Sequence, residues 1–417
     1  MKKCRDIPRR PPSMSSFLTK PISLPRPRRP ELRRPELHRA KGGRPTLGGP
    51  ELSLPSFRRK RSSGGTLVGL QIEAGSVAAV EARLDGGVAR VTAAGVEPLS
   101  PDAFRDGEVA EPEAVTAALR TLVGDHGLGR KVRLGIANQR LVVRTLRLPA
   151  IENPDDLDAA VRFSAQEQIA MPLEDAVIEH RVVGGAPAEA DAPAQVDVMV
   201  IAARRDMIRA SLAPLRAAGL EPVGVDLSAF GMIRALADAG VAVDAPAGDG
   251  TPSQGATLYC NIGDSTNLAV ARARACLFTR LSSVGLAEIA GNLSSAAGLS
   301  LEHAAMWLDH VGLRRPLTEI EGDEATVAHS RAALEHGAAQ LVDELRLSLD
   351  FYAAQEAAVA IEKIVLCGPG AAIPGFAEEM APQLGLPIAV GLPEALSGYP
   401  APVAARLTLP FGIALDT

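Results

Sequence analysis

Three short turns hold the residues whose types and spacing suit chemistry. The first, Gly75-Ser76, separates the alternating stretch 66–72 from a second alternating stretch, 77–82. The second, Gly263-Asp264-Ser265-Thr266, separates residues 257–262 from 267–272 in the same way. A glycine-led turn between strands directs several backbone N–H groups to one side and forms an anion nest. The hydroxyls of Ser76, Ser265 and Thr266 add donors. Two such nests facing each other across a cleft would hold a polyphosphate, whereas either turn alone reads equally as an ordinary Gly/Ser hairpin. The third turn, Gly368-Pro369-Gly370-Ala371, follows the apolar run 364–367 and precedes a helix expected to begin near Phe376. Glycines there let a flat ring or ribose lie against the backbone. It lacks the G-x-x-x-x-G-K-[ST] pattern, which excludes a Walker loop.

Cysteine and histidine offer no competing chemistry. Cys4, Cys260, Cys276 and Cys367 form no C-x-x-C pair, and the seven histidines show no H-E-x-x-H spacing. The expectation is reduced thiols in a cytosolic protein, with no metal site.

The elements that position the turns read as α/β. Residues 66–72, 77–82, 88–91 and 132–136 have strand patterns, and 113–123 carries a helical stripe. Asn153-Pro154-Asp155-Asp156 has the composition of a helix start, with proline at the first helical position and carboxylates in the first turn. That helix is expected to run to about Ile169. Strands follow at 177–183 and 196–203, a helix at 205–218 and a strand at 222–226. Residues 242–254 read as a linker. The strand–turn–strand pattern then returns about 190 residues after its first appearance, which predicts two similar halves. A long amphipathic helix is expected around Leu334, Ala338, Leu341, Leu345, Ser348 and Tyr352. The last stretch, 406–417, reads as strand-like and non-basic.

The 417 residues carry 44 Lys+Arg and 49 Asp+Glu, a net charge of -5. That charge is unevenly placed. Residues 1–61 hold 18 basic and 4 acidic residues, and the remainder holds 26 basic and 45 acidic. The same segment contains 11 of the 32 prolines, and Arg29-Pro30-Glu31-Leu32 recurs as Arg34-Pro35-Glu36-Leu37. Such a sequence buries too little apolar surface to offset its ordering entropy, so a disordered basic tail is expected over 1–65. A basic arm on anionic lipid or nucleic acid, and a start codon assigned too far upstream, are the other readings. Hydrophobic residues make 47% of the chain, which excludes a wholly disordered protein, and 3% aromatics argue against a base-stacking nucleic-acid platform. No apolar run is long enough for a membrane span.

The order of these motifs resembles the actin-like (ASKHA) superfamily of two-domain ATPases, whose domains have a ribonuclease H-like fold. Within it, residues 66–417 are similar to the PilM family of type IV pilus assembly proteins. Three stretches carry the narrower resemblance: 157–175, like an inserted subdomain whose helix ends in Pro172-Leu173-Glu174; 341–352, like a connecting helix; and 287–313, like the segment after the second phosphate loop. The resemblance implies an α/β, actin-like two-domain fold. The first domain would comprise 66–144 and 203–250, with an SHS2-like α+β insert at 145–202. The second would comprise 251–395, and 396–417 would return to the first.

It further implies a nucleotide site at Gly75, Ser76, Gly263, Ser265, Thr266, Gly368, Gly370 and Ala371, with ATP and Mg²⁺ as cofactors. The sequence departs from the family at that site. Gln71 and Glu73 stand where aspartate and glycine are usual, Ala78 replaces a lysine, Asn261 replaces the second-loop aspartate, and Pro369 replaces a glycine. Gln71 lacks the charge that binds hydrated Mg²⁺, and Glu73 and Asp264 would repel phosphate. The expectation is a scaffold with degenerate nucleotide loops, no catalytic residue, and ATP hydrolysis slow or absent. Its implied partner is a PilN-like bitopic inner-membrane protein, whose N-terminal peptide would dock between the first domain and the insert, alongside other components of the pilus inner-membrane complex. The implied location is cytoplasmic, peripheral to the inner face of the membrane. An FtsA-like division protein and a small-molecule kinase of the same superfamily remain the alternatives.

Overall fold

The computed structural model describes residues 66–85, 88–169, 171–186, 194–237, 255–355 and 358–415, all within one compact unit, Ser53–Thr417. The expected tail and the expected linker lie outside the described residues.

The first sheet is built from β1 (Leu67–Glu73), β2 (Ser76–Asp85) and β3 (Val88–Pro98). The short pair β4 (Phe104–Arg105) and β5 (Glu108–Val109), helix α1 (Pro112–His126) and strand β6 (Lys131–Ile136) follow. Next come β7 (Val142–Pro149), α2 (Pro154–Gln168), β8 (Ala176–Ala186), β9 (Gln195–Arg204), α3 (Arg205–Ala217), β10 (Glu221–Leu227) and α4 (Ser228–Leu236). The second half holds β11 (Ala256–Ile262), β12 (Thr266–Arg272), β13 (Ala275–Ser282), α5 (Leu286–Ala297), α6 (Leu301–Val311) and α7 (Glu324–Ala353). It ends with β14 (Ile361–Cys367), α8 (Pro369–Ala372), α9 (Phe376–Leu384), β15 (Ile388–Val390) and α10 (Ala401–Ala414).

The two large sheets repeat one topology. The first has the order β10-β6-β1-β2-β3 and the second β13-β12-β11-β14-β15. In each, the opening strand pairs antiparallel with the next strand and parallel with a later one: β1 with β2 and β6, β11 with β12 and β14. The opening hairpin of each half therefore projects from the middle of its sheet.

Burial explains the layering. One core packs the outer face of the first sheet against α1 and α3 through Leu70, Leu119, Leu134 and Leu212. Another packs the second sheet against α5, α6, α7 and α9 through Leu258, Leu293, Leu341 and Phe376. A third lies between the sheets, where Met232 of α4 and Leu407 and Phe411 of α10 meet Val80 and Tyr259. A small core closes the insert: α2 covers the three-stranded antiparallel sheet β7-β9-β8 through Leu146, Val161, Ala165 and Val198. Its start is set locally, because the Asn153 side chain accepts from the Asp155 N–H at 3.0 Å.

The C-terminal run corrects the strand-like reading, since residues 401–414 form helix α10. The alternation of Leu407-Thr408-Leu409 resembles a strand, but ten residues of the helix are buried because it lies between two sheets and has no polar face. Helix α10 approaches its neighbours backbone to backbone. A Cβ on Gly412 would stand 1.8 Å from the Gly231 carbonyl oxygen, and one on Gly69 would stand 2.0 Å from the Pro410 carbonyl oxygen. Gly412→Ala should therefore destabilise the fold by about 3 kcal/mol or more. Gly124→Ala on α1, where a Cβ meets nothing within 4 Å, should be neutral or stabilise by about 0.5–1 kcal/mol. Chemical denaturation of the two variants checks this, and a Gly412→Ala cost below about 0.5 kcal/mol would show that α10 can shift freely.

Candidate functional site

All three turns singled out from the sequence converge. The first hairpin closes with Glu73 opposite Ser76, so its turn is Ala74-Gly75 and Ser76 already belongs to β2. The second closes with Ile262 opposite Thr266, so Thr266 likewise opens a strand. The third turn starts at Gly368, whose φ of 84° favours glycine. A Cβ on Gly368 would lie 2.5 Å from Asn261 Oδ1, and one on Gly370 would lie 2.3 Å from Ile262 Cγ2. The third turn thus lies flush against the end of β11. Ala371 is buried in α8 beside it.

Several polar groups of these turns are engaged within the chain. The Gly75 N–H donates to Asp264 Oδ2 at 3.1 Å, across 189 residues of sequence. Ser76 Oγ accepts from Arg406 Nη1 at 3.4 Å. The Gly263 N–H donates to the Ser265 carbonyl at 3.2 Å. The Gly263 and Asp264 carbonyls accept from Leu286 and Ala287 at 2.8 and 3.3 Å. The second turn therefore caps α5, whose N-cap residue Gly285 offers no side chain. Gln71 Oε1 accepts from Ser228 Oγ at 2.8 Å in a buried contact. Ala78, opposite Gln71 on β2, is buried. Asn261 Oδ1 accepts from the Cys367 thiol at 3.7 Å. Thr266 Oγ1 is buried without a partner.

Two carboxyl groups dominate the electrostatics. Both Glu73 oxygens lie 3.3 Å from the point a Cβ on Gly263 would occupy. Burial, reinforced by the charge of Asp264 and opposed by Arg406, pushes the Glu73 carboxyl up to about 7. Burial also pushes the Cys276 thiol up to about 12 and raises those of Cys260 and Cys367, so these thiols are not nucleophiles at neutral pH. Among the described residues no group of three or more His, Cys, Asp or Glu could hold a metal ion.

This donor set does not fit a Mg–polyphosphate. The first turn's N–H is already bonded to a carboxylate, Ser76 faces a guanidinium, the second turn presents carbonyls to α5, and Gln71 is held by Ser228. Sequence reasoning missed Arg406 and Ser228. Arg406 had a signal, because it is the one charged residue in the apolar stretch 401–415. Ser228 had none, since a serine at a helix start reads only as a cap.

A separate cavity of about 530 Å³ opens at the carboxyl ends of β6 and β10. The connection into the insert (Asn138, Leu141, Arg144) lines one side, and β13 with Glu344 of α7 lines the other. Arg280 on that wall pairs with Glu344 at 2.8 Å and donates to Ser348 Oγ at 3.0 Å.

Paired sheets of one topology, two helices between them and an inserted small sheet define an actin-like protein whose two hairpin turns close on each other. The family described as type IV pilus assembly protein PilM matches residues 69–398, and the chain belongs to that family. Among solved structures, a PilM-PilN type IV pilus biogenesis complex is similar at 24% identity and a TM-score of 0.68, covering 84% of this chain and 97% of the other. The ethanolamine utilization protein EutJ of Carboxydothermus hydrogenoformans matches at 14% identity and a TM-score of 0.46, covering 85% and 91%. ADP-bound MreB5 of Spiroplasma citri matches at 12% identity and a TM-score of 0.43, covering 83% and 94%.

The raised Glu73 carboxyl makes stability pH-dependent with a definite sign. The folded state holds this proton to about pH 7, whereas the unfolded state releases it near 4.5. Its contribution is therefore fully present below about 4.5 and is lost as pH rises through 7. Glu73→Gln, which mimics the protonated form, should match wild type near pH 4.5 and exceed it by up to about 3 kcal/mol above pH 7. Urea denaturation across that range checks this, and a difference that stays constant with pH overturns the assignment.

Proposed function

We propose that this PilM-family chain is a scaffold of a type IV pilus or related machine, and that the cavity at the root of its insert receives a short peptide from a bitopic inner-membrane protein. The cavity is the observation that carries the reading. It is bounded by the first sheet, the strand that leads into the insert, and the second half, so one extended segment there touches all three. The likeness to a structure of a PilM-PilN complex supports a PilN-like partner. No helix among the described residues is long and apolar enough to cross a membrane. In this reading the chain sits peripherally at the cytoplasmic face, held by its partner.

Deleting residues 145–202 should abolish co-purification with a PilN-like protein while circular dichroism shows the two-sheet body still folded. Unchanged co-purification would place the docking site elsewhere.

Nucleotide has a subordinate place in this reading. ATP binds weakly if at all, and hydrolysis is slow or absent, because the groups that would organise Mg²⁺ and phosphate are replaced or engaged internally. Two lost contacts of about 2–4 kcal/mol each reduce the rate by roughly 10³-fold or more. Calorimetry of wild type should show no Mg-dependent heat at micromolar ATP, and Gln71→Asp, Glu73→Gly and Asn261→Asp combined should restore it. Wild-type turnover at about 1 s⁻¹ or faster would overturn this part. The FtsA-like alternative loses its footing to the family match, and the kinase alternative lacks the acidic groups its chemistry needs.

A further inference from the structure

The two hairpin turns belong to different sheets, yet each presses a carboxylate on the other's backbone. Asp264 reaches from the second turn and accepts from the Gly75 N–H at 3.1 Å. Glu73 reaches from the first hairpin and lies against Gly263, 3.3 Å from its Cβ position. Glycine at 263 makes the approach close enough for this, since any side chain would meet the Glu73 oxygens and the Asn261 amide at once. From the geometry of this reciprocal contact, we propose that the paired turns are a proton-operated clasp between the two sheets, closed while Glu73 carries a proton and released when it does not.

The charges around the pair support this. Arg406 of α10 faces Glu73 and donates to Ser76 of the same hairpin. Its charge also reaches Asp309 of α6, so the guanidinium is shared with a third carboxyl group. The Cys367 thiol of β14 faces Glu73 as well, but burial holds it neutral. With Glu73 protonated, Asp264 and Arg406 offset each other. With Glu73 ionised, two carboxylates stand across the junction with one shared cation, and like charges there repel. Burial and Asp264 push Glu73 up to about 7, so the clasp works across neutral pH. Closed, it keeps Asp264 as the resident anion of the first turn. Open, it returns the Gly75 N–H to solvent or to an external anion.

Hydrogen–deuterium exchange of the full chain, corrected for intrinsic rates, tests the clasp at the peptides spanning 73–77 and 262–266. Between about pH 6 and pH 8, wild-type exchange there should rise roughly tenfold or more, while 67–70 and 258–260 stay protected. Glu73→Gln should remain protected at both pH values, and Asp264→Ala should exchange freely at both. A flat wild-type profile overturns the proposal. So does an unaltered pH response in Glu73→Gln, or an Asp264→Ala variant as protected as wild type at the lower pH. Should a variant fail to fold, the wild-type titration decides: a change confined to the two turns supports the clasp, and a change spread over both sheets overturns it.

Discussion

Helix α10 has no side-chain layer between its backbone and that of β1 or α4, and most of the molecule is arranged around that close approach. Glycine at 69, 231 and 412 makes it sterically feasible. Once the helix is that near, its terminal carbonyls need donors. Arg234 Nε donates to the Gly412 carbonyl at 2.8 Å, and Arg133 Nη1 to those of Ile413 and Leu415 at 3.2 and 3.3 Å. Arg234 is itself paired with Asp226 at the end of β10. The helix is therefore pinned at its C-terminal end to two strands of the first sheet. The same placement brings Arg406, one turn from the buried centre, to the tip of the first hairpin.

The closed state of the turns follows from how backbone groups are satisfied. A hairpin tip and a helix N-terminus both carry N–H groups without intra-element partners, and an anion-binding protein leaves them for its ligand. Here the N-terminus of α5 takes two carbonyls from the second turn, and the first turn takes a carboxylate from the second. The Gly75 N–H and the Ser76 hydroxyl, donors that a phosphate would use, are committed to other parts of the chain. The substitutions at Gln71 and Glu73 agree with this. Gln71 gives up the charge a hydrated cation needs and gains a buried hydrogen bond to Ser228. Glu73 puts a carboxyl where a polyphosphate would come.

Much of this was legible in the residues. The paired strand–turn–strand patterns, the Asn153-Pro154 helix start and the glycine turn before Phe376 all use local signals: alternation, capping and positive φ. The structure places them as expected to within three residues, with β2 running on to Asp85 and Ser76 and Thr266 moved from turn to strand. The failures share a cause. Helix α10 and helix α4, which begins at Ser228, are apolar on nearly every side because each is buried between two sheets. A helix without a polar face has no amphipathic period to read. Arg406 was passed over for the same reason, since its role depends on which turn the helix brings it against. The contact between Asp264 and Gly75 spans 189 residues, a distance at which no local pattern carries information.

The cavity and the turns are contiguous through the chain, which bears on how a scaffold of this shape can respond to a partner. Leu227 lines the cavity, and the next residue, Ser228, holds Gln71 behind the first turn. Asn267 lines it too, and the residue before it, Thr266, closes the second hairpin opposite Ile262 and pairs on its other side with Ser282 of β13, another wall residue. A segment seated in the cavity therefore presses on β12, which carries one end of the second turn, and on β10, whose following residue Ser228 holds Gln71 behind the first. Thr266 adds to the point: its hydroxyl is buried and unpartnered, a cost of about 1–3 kcal/mol that a rearrangement of the second hairpin would relieve. Occupancy at the insert's root reaches the second hairpin directly through β12 and the first through the Ser228–Gln71 hydrogen bond beyond β10, so a partner that changes one should change the other.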